Sequence, residues 1–186
     1  LADAEHYLAC SSGTTGNPAL LVSSAADVVF NKASIVYPTF WGTSIEPVPD
    51  RRMFAFAVQT QTPRGRMTNG GLFESICRPD VPPFLFPVPG VTIGAVTRMI
   101  VLRKAIAEGT AQPADIAEYE TESARREKAI AEATAQSAEA IIAARGDKLH
   151  ISGMWGVLHQ VAEEVRRRGY SAKDFHPENA VYLGGG

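Results

Sequence analysis

The stretch KLHISGMWGVLHQVAEEVRRRG, Lys148 to Gly169, decides the fold class of this chain. Lys148 to Ser152 is predicted to be a strand. The following residues place Trp155, Leu158, Val161, Ala162 and Val165 on one face at helical spacing. Ser152 is expected to cap that helix, and Gly169 to stop it. AVYL, Ala180 to Leu183, then reads as another strand, which completes a strand–helix–strand unit. Two strands joined through a helix are the unit from which parallel sheets are built.

The same alternation extends upstream. MFAFAVQ, Met53 to Gln59, alternates large and small apolar residues and reads as a buried strand. In PPFLFPVPG a short strand, Phe84 to Phe86, is hemmed in by prolines that keep it out of a long central ladder. Thr92 opens a helix running through Glu108, with Ile93, Val96, Ile100 and Val101 at helical spacing and Gly109 at its end. Pro113 suits a first helical turn, and from there to Arg145 the chain is rich in Ala, Glu, Arg and Lys, with no further Pro and no Gly, and reads as one long surface helix or a helical hairpin. Its apolar positions are sparse: Ile116, Tyr119, Ile130, Ile141 and Ile142. Between Thr121 and Lys128 it is almost wholly polar, so there the helix either breaks or stands in solvent. The absence of a sustained heptad argues against a coiled coil. TQTPRGRMTNGGLFESI, with Gly70 and Gly71, is rich in turn signals and reads as a turn rather than a close approach to a ligand. The fold class expected is therefore α/β: a mainly parallel sheet flanked by helices, in a single subdomain over residues 1–186.

The amino-terminal part differs. HYLAC (His6 to Cys10) and ALLVS (Ala19 to Ser23) are expected to form a hairpin. Ser24 then caps a helix through AADVVFNKASIVYPTFWGT, with Val28, Val29, Ile35 and Val36 on its apolar side. Pro38 is expected to kink or end this helix, with Phe40 and Trp41 anchoring its end in the core. Between the two strands lies SSGTTGNP, Ser11 to Pro18. On local chemistry alone it is either a turn or a phosphate grip. Gly13 and Gly16 can take positive φ and turn backbone N–H groups toward one anion, and the hydroxyls of Ser11, Ser12, Thr14 and Thr15 add donors. It is not a Walker A loop, because the glycines are too close together and no Lys-Ser or Lys-Thr pair follows.

SSGTTGNP closely resembles the signature phosphate loop of the adenylate-forming superfamily, the acyl-CoA synthetases and their relatives. Most members carry Lys where this chain has Asn17 and Ala19. The change at Ala19 looks like the phenylacetate-CoA ligase and acyl-protein synthetase-like branches. The resemblance implies an enzyme that activates a carboxylic acid with ATP and Mg2+ and passes the acyl group to a thiol such as CoA. It implies cofactor-binding roles for Ser11, Ser12, Gly13, Thr14, Thr15 and Gly16. VYLGGG is similar to the start of the glycine turn that helps form the adenine and acyl pocket, which adds Gly184, Gly185 and Gly186. The chain would then be the central subdomain of a longer ligase, inactive by itself. Its partners would be a small carboxylic acid, a nucleotide and the rest of the parent chain, including a C-terminal domain. The family's Tyr-Gly-x-Thr-Glu segment, ribose-binding Asp and catalytic Lys are not in this sequence, so neither a catalytic residue nor a metal ligand is assigned. The alternative reading is a noncatalytic α/β binding or structural module whose Ser/Thr/Gly loop is a plain turn.

Composition narrows the other classes. With 186 residues, 45% of them hydrophobic and 20% charged, the chain suits a globular domain, and a net charge of −2 gives no footprint for nucleic acid. The basic run Arg166 to Arg168 closes a predicted helix, where cations complement the dipole. Cys10 and Cys77 have no metal-like spacing and suggest no disulfide framework. His6, His150, His159 and His176 form no pair at helical metal spacing and no hydrolase triad. No apolar run is long enough to span a bilayer, and the start of the chain has no signal-peptide core, so the cytoplasm is the expected location. Phe40, Trp41, Phe84 and Phe86 are either core or the wall of an apolar acyl pocket.

Overall fold

The computed structural model describes residues 6–10, 20–56, 63–90 and 92–184. The architecture is α/β. Four strands, β3 (Arg52–Phe56), β4 (Phe84–Leu85), β5 (Leu149–Met154) and β6 (Ala180–Gly184), form a parallel sheet in the order β4-β3-β5-β6. A separate antiparallel pair, β1 (His6–Cys10) and β2 (Leu20–Ser24), precedes it. The helices are α1 (Ala25–Thr43), α2 (Pro63–Ile76), α3 (Ile93–Ala107), α4 (Pro113–Ala143) and α5 (Trp155–Arg167).

The central strand β3 shows why the sheet needs cover on both faces. Met53 and Ala55 point into a cluster with Ile45, Leu72, Ile76 and Cys77, beneath α1 and α2. Phe54 and Phe56 point the other way, into a larger cluster with Ala133, Ala138 and Ile141 of α4 and Val161 and Val165 of α5. A parallel strand buried on both sides reads as a continuous apolar run, and MFAF is one. The proline-bounded β4 takes an edge position, where its missing donors cost no ladder hydrogen bonds.

Several local expectations hold. Ser24 caps α1 in a capping box with Asp27, its Oγ accepting from the Asp27 N–H at 3.3 Å. Thr92 caps α3, and Gly109 follows its end at φ +69°. The polar stretch from Thr121 to Lys128 does not break α4, which is continuous and largely exposed there, with Arg125 and Arg126 paired to Glu122.

Other expectations are corrected. The turn anticipated around Gly70 and Gly71 is α2. A Cβ at Gly71 would stand 3.0 Å from Lys32 Cα, so the glycine admits the backbone of α1, a packing demand stronger than its poor helix propensity. Helix α1 runs through Pro38 to Thr43. Trp41 is 79% exposed, and Val29, Phe30 and Tyr37 share that outer side, while Thr39 is the residue fully buried against the fold. Trp41 is thus no core anchor. Ser152 lies within β5, so the residue preceding α5 is Met154, which supplies no side-chain cap. Trp155 and Ala162 are exposed, leaving Val161 and Val165 as the buried residues of α5. In α4 the buried stripe is Ala133, Thr134, Ser137, Ala138 and Ile141; small side chains, more than the isoleucines, let α5 approach.

Candidate functional site

Parallel strands place their carboxyl ends along one edge, and that edge is where α/β sheets bind ligands. Here it is formed by Phe56, Leu85, Met154 and Gly184. Gly184 pairs with Met154 and ends β6, so this one of the sequence-predicted site residues reaches the edge. Gly185 and Gly186 lie outside the described residues, as do Ser11, Ser12, Gly13, Thr14, Thr15 and Gly16. The flanks of that loop are described. Cys10 pairs with Leu20, and the register continues to His6 opposite Ser24, so the ends of the 11–19 connection are held at adjacent ladder positions. The hairpin packs on α1 and α2, the helices covering the Met53 and Ala55 face.

Among the described residues, the carboxyl edge exposes the apolar side chains of Met154, Trp155, Tyr182 and Leu183. Trp155 opens α5, and its ring stacks on His159 with centroids 6.3 Å apart and planes 17° from parallel. Neither a capping side chain nor an acid occupies the first turn of α5. This edge can therefore offer aromatic surface and helix N–H groups together. Sequence reading assigned Trp155 to a buried face and missed its exposure. The available signal was its place directly after a strand.

The opposite edge is closed by ions. Lys148 Nζ lies 2.9 Å from Asp50 Oδ2 and 2.7 Å from Glu178 Oε2, and Arg52 Nη1 lies 3.0 Å from Asp147 Oδ2. Glu178 and Asp50 raise the Lys148 pKa, and Lys148 in turn lowers that of Glu178. Arg51, buried just before β3, donates from Nη1 to the carbonyls of Leu149 and Glu178. Beneath this lid lie two buried groups that carry no catalytic signature. Burial pushes the Cys77 thiol up to about 12, so it holds its proton at neutral pH. His150 is 1% exposed, with no hydrogen-bond partner for either ring nitrogen.

Burial first, and the Arg51 charge second, lower the His150 pKa from 6.5 to about 4. The folded chain therefore keeps this ring neutral while the unfolded chain protonates it below the ordinary value. The stabilisation is complete above pH 6.5 and is lost as pH falls toward 4, a change of about 3 kcal/mol over that window. Urea unfolding at several pH values should show this slope, and His150→Leu should flatten it. An equal slope in both proteins would show that His150 is not the group responsible.

Phe84 packs with Phe54 and Phe56, and Phe86 is 1% exposed, so both belong to the core rather than to a pocket wall. Among the described residues no three His, Cys, Asp or Glu side chains converge to hold a metal. No described helix is long and apolar enough to cross a membrane. No protein-family model matches the chain, and no curated protein matches it.

Proposed function

We propose that this chain is the nucleotide-binding subdomain of a cytoplasmic acyl-adenylating ligase. The observation that carries the reading is SSGTTGNP placed between two strands whose flanking residues Cys10 and Leu20 are paired. On this reading Ser11, Ser12, Thr14 and Thr15 donate hydroxyls, and Gly13 and Gly16 donate N–H groups, to the β and γ phosphates of ATP. A carboxylate oxygen of the acid attacks the α phosphorus, the bond to the β-phosphate oxygen breaks and pyrophosphate leaves. The thiolate of an acceptor such as CoA then attacks the acyl carbon and releases AMP. No nucleophile from the chain is needed; the loop contributes position and charge neutralisation. The apolar carboxyl edge near Gly184, Met154 and Trp155 offers surface for the adenine ring and the acyl group.

The test is competition binding on the intact protein. ATP and pyrophosphate should displace one another, because both fill the loop, whereas adenosine should leave bound pyrophosphate in place. Failure of pyrophosphate to compete with ATP overturns the reading in favour of a noncatalytic module with a plain turn.

A further inference from the structure

Helix α1 packs on the fold through one side. Ile35 and Thr39 face inward, Lys32 pairs with Glu74 of α2, and Gly71 of α2 lies against the Lys32 backbone. The opposite side carries Ala26, Phe30, Ala33, Tyr37 and Trp41 at helical spacing, all of them exposed. Asp27 and Lys32 are the charged residues of this 19-residue helix, and both are engaged, Asp27 by the capping residue Ser24 and Lys32 by Glu74. From Ala33 to Thr43 the sequence has no charge. An aromatic stripe depleted of charge has the composition of an interface centre. Trp41 is also held in place, its ring set edge-on against Phe40 with centroids 5.6 Å apart.

The area suits a stable dimer. Phe, Tyr and Trp bury about 150–250 Å² each, so Phe30, Tyr37 and Trp41, exposed by 72%, 65% and 79%, offer about 300–550 Å² together. With Val29, 69% exposed, and with Ala26, Ala33 and Ser34 between the rings, the face comes close to the about 600 Å² a side at which stable interfaces begin.

The order of the residues selects the partner. In two antiparallel copies of one helix related by a two-fold axis, residues equally far from the axis on either side meet. With the axis between Ala33 and Ser34, Phe30 of one copy meets Tyr37 of the other, Trp41 meets Ala26, and Ala33 meets Ser34. Aromatic ring then lies on aromatic ring, the largest side chain lies over one of the smallest, and small residues occupy the crossing, where helix axes can approach to about 8 Å. The stripe sets no charge against its own image.

We infer that the outer side of α1 pairs with the same side of a second copy of this chain, in an antiparallel two-fold dimer. Such pairing needs neither the phosphate loop nor its ligand.

Sedimentation equilibrium of the intact protein should give a dimer in the micromolar range. Trp41→Glu should raise the dissociation constant about thirtyfold or more, the loss of one interface hot spot. Its far-ultraviolet circular-dichroism spectrum should stay unchanged, because Trp41 is exposed in the single chain. Ala33→Cys should yield a disulfide-linked dimer on mild oxidation, whereas Ala124→Cys, exposed on α4, should yield none above the parent protein. A monomer throughout the micromolar range, which would mean that something other than a second copy covers the stripe, overturns the inference. So does a dimer that Trp41→Glu leaves intact, or equal cross-linking at the two cysteine positions.

Discussion

Replacing Thr14 and Thr15 together by alanine is expected to lower carboxylate-dependent ATP–pyrophosphate exchange by the intact protein about 10²- to 10⁴-fold. The reasoning follows from the proposed contacts. A hydrogen bond to a charged group contributes about 1.5–3 kcal/mol, so two hydroxyls withdrawn from the phosphates cost about 3–6 kcal/mol. Each 1.4 kcal/mol is a factor of ten. The loss should appear in exchange and not in the melting temperature, which separates an effect on the phosphates from an effect on folding. Exchange within a factor of two of the parent protein would remove these hydroxyls from the reaction.

Gly153→Ala carries the largest structural penalty. Gly153 lies in β5, opposite Phe56 of β3, and a Cβ there would stand 2.5 Å from the Phe56 carbonyl oxygen and 3.0 Å from its Cβ. Both strands are buried at this point, so neither can move aside without breaking the packing of Phe56. Overpacking of this kind costs about 3 kcal/mol or more, near 10 °C in melting temperature for a chain of this length. Gly156, three residues on in α5, is the control. A Cβ there meets nothing within 4 Å, and alanine in a helix is better than glycine, so Gly156→Ala should be neutral or stabilise by up to about 1 kcal/mol. Thermal unfolding of the two variants reads the contrast directly. Equal stability would contradict the β3–β5 register.

Much of the architecture was legible because it depends on neighbours in sequence. The strand runs around Phe54, Ile151 and Val181, and the caps Ser24 and Thr92, follow from spacing and turn chemistry within a few residues. The misreadings share a cause. Gly70 and Gly71 look like a turn until α1 is seen pressing on Gly71, and Trp41 and Trp155 look like core residues because hydrophobicity does not state which side of a helix is covered. The small stripe of α4 was hidden for a related reason. Ala133, Ser137 and Ala138 are buried by what packs on them, not by their own transfer energy.

For the candidate site the division is sharper. The hydroxyl-rich loop and its family resemblance are properties of consecutive residues, and sequence alone determined them, together with the α/β class. Sequence left undetermined that Gly184 meets Met154 at one edge while Lys148, Arg52 and their acids close the other, or that His150 would be buried without a partner. Those facts join residues about thirty to a hundred positions apart. Local backbone preference is written in adjacent residues, but burial and electrostatic pairing exist only once strands distant in the chain lie side by side.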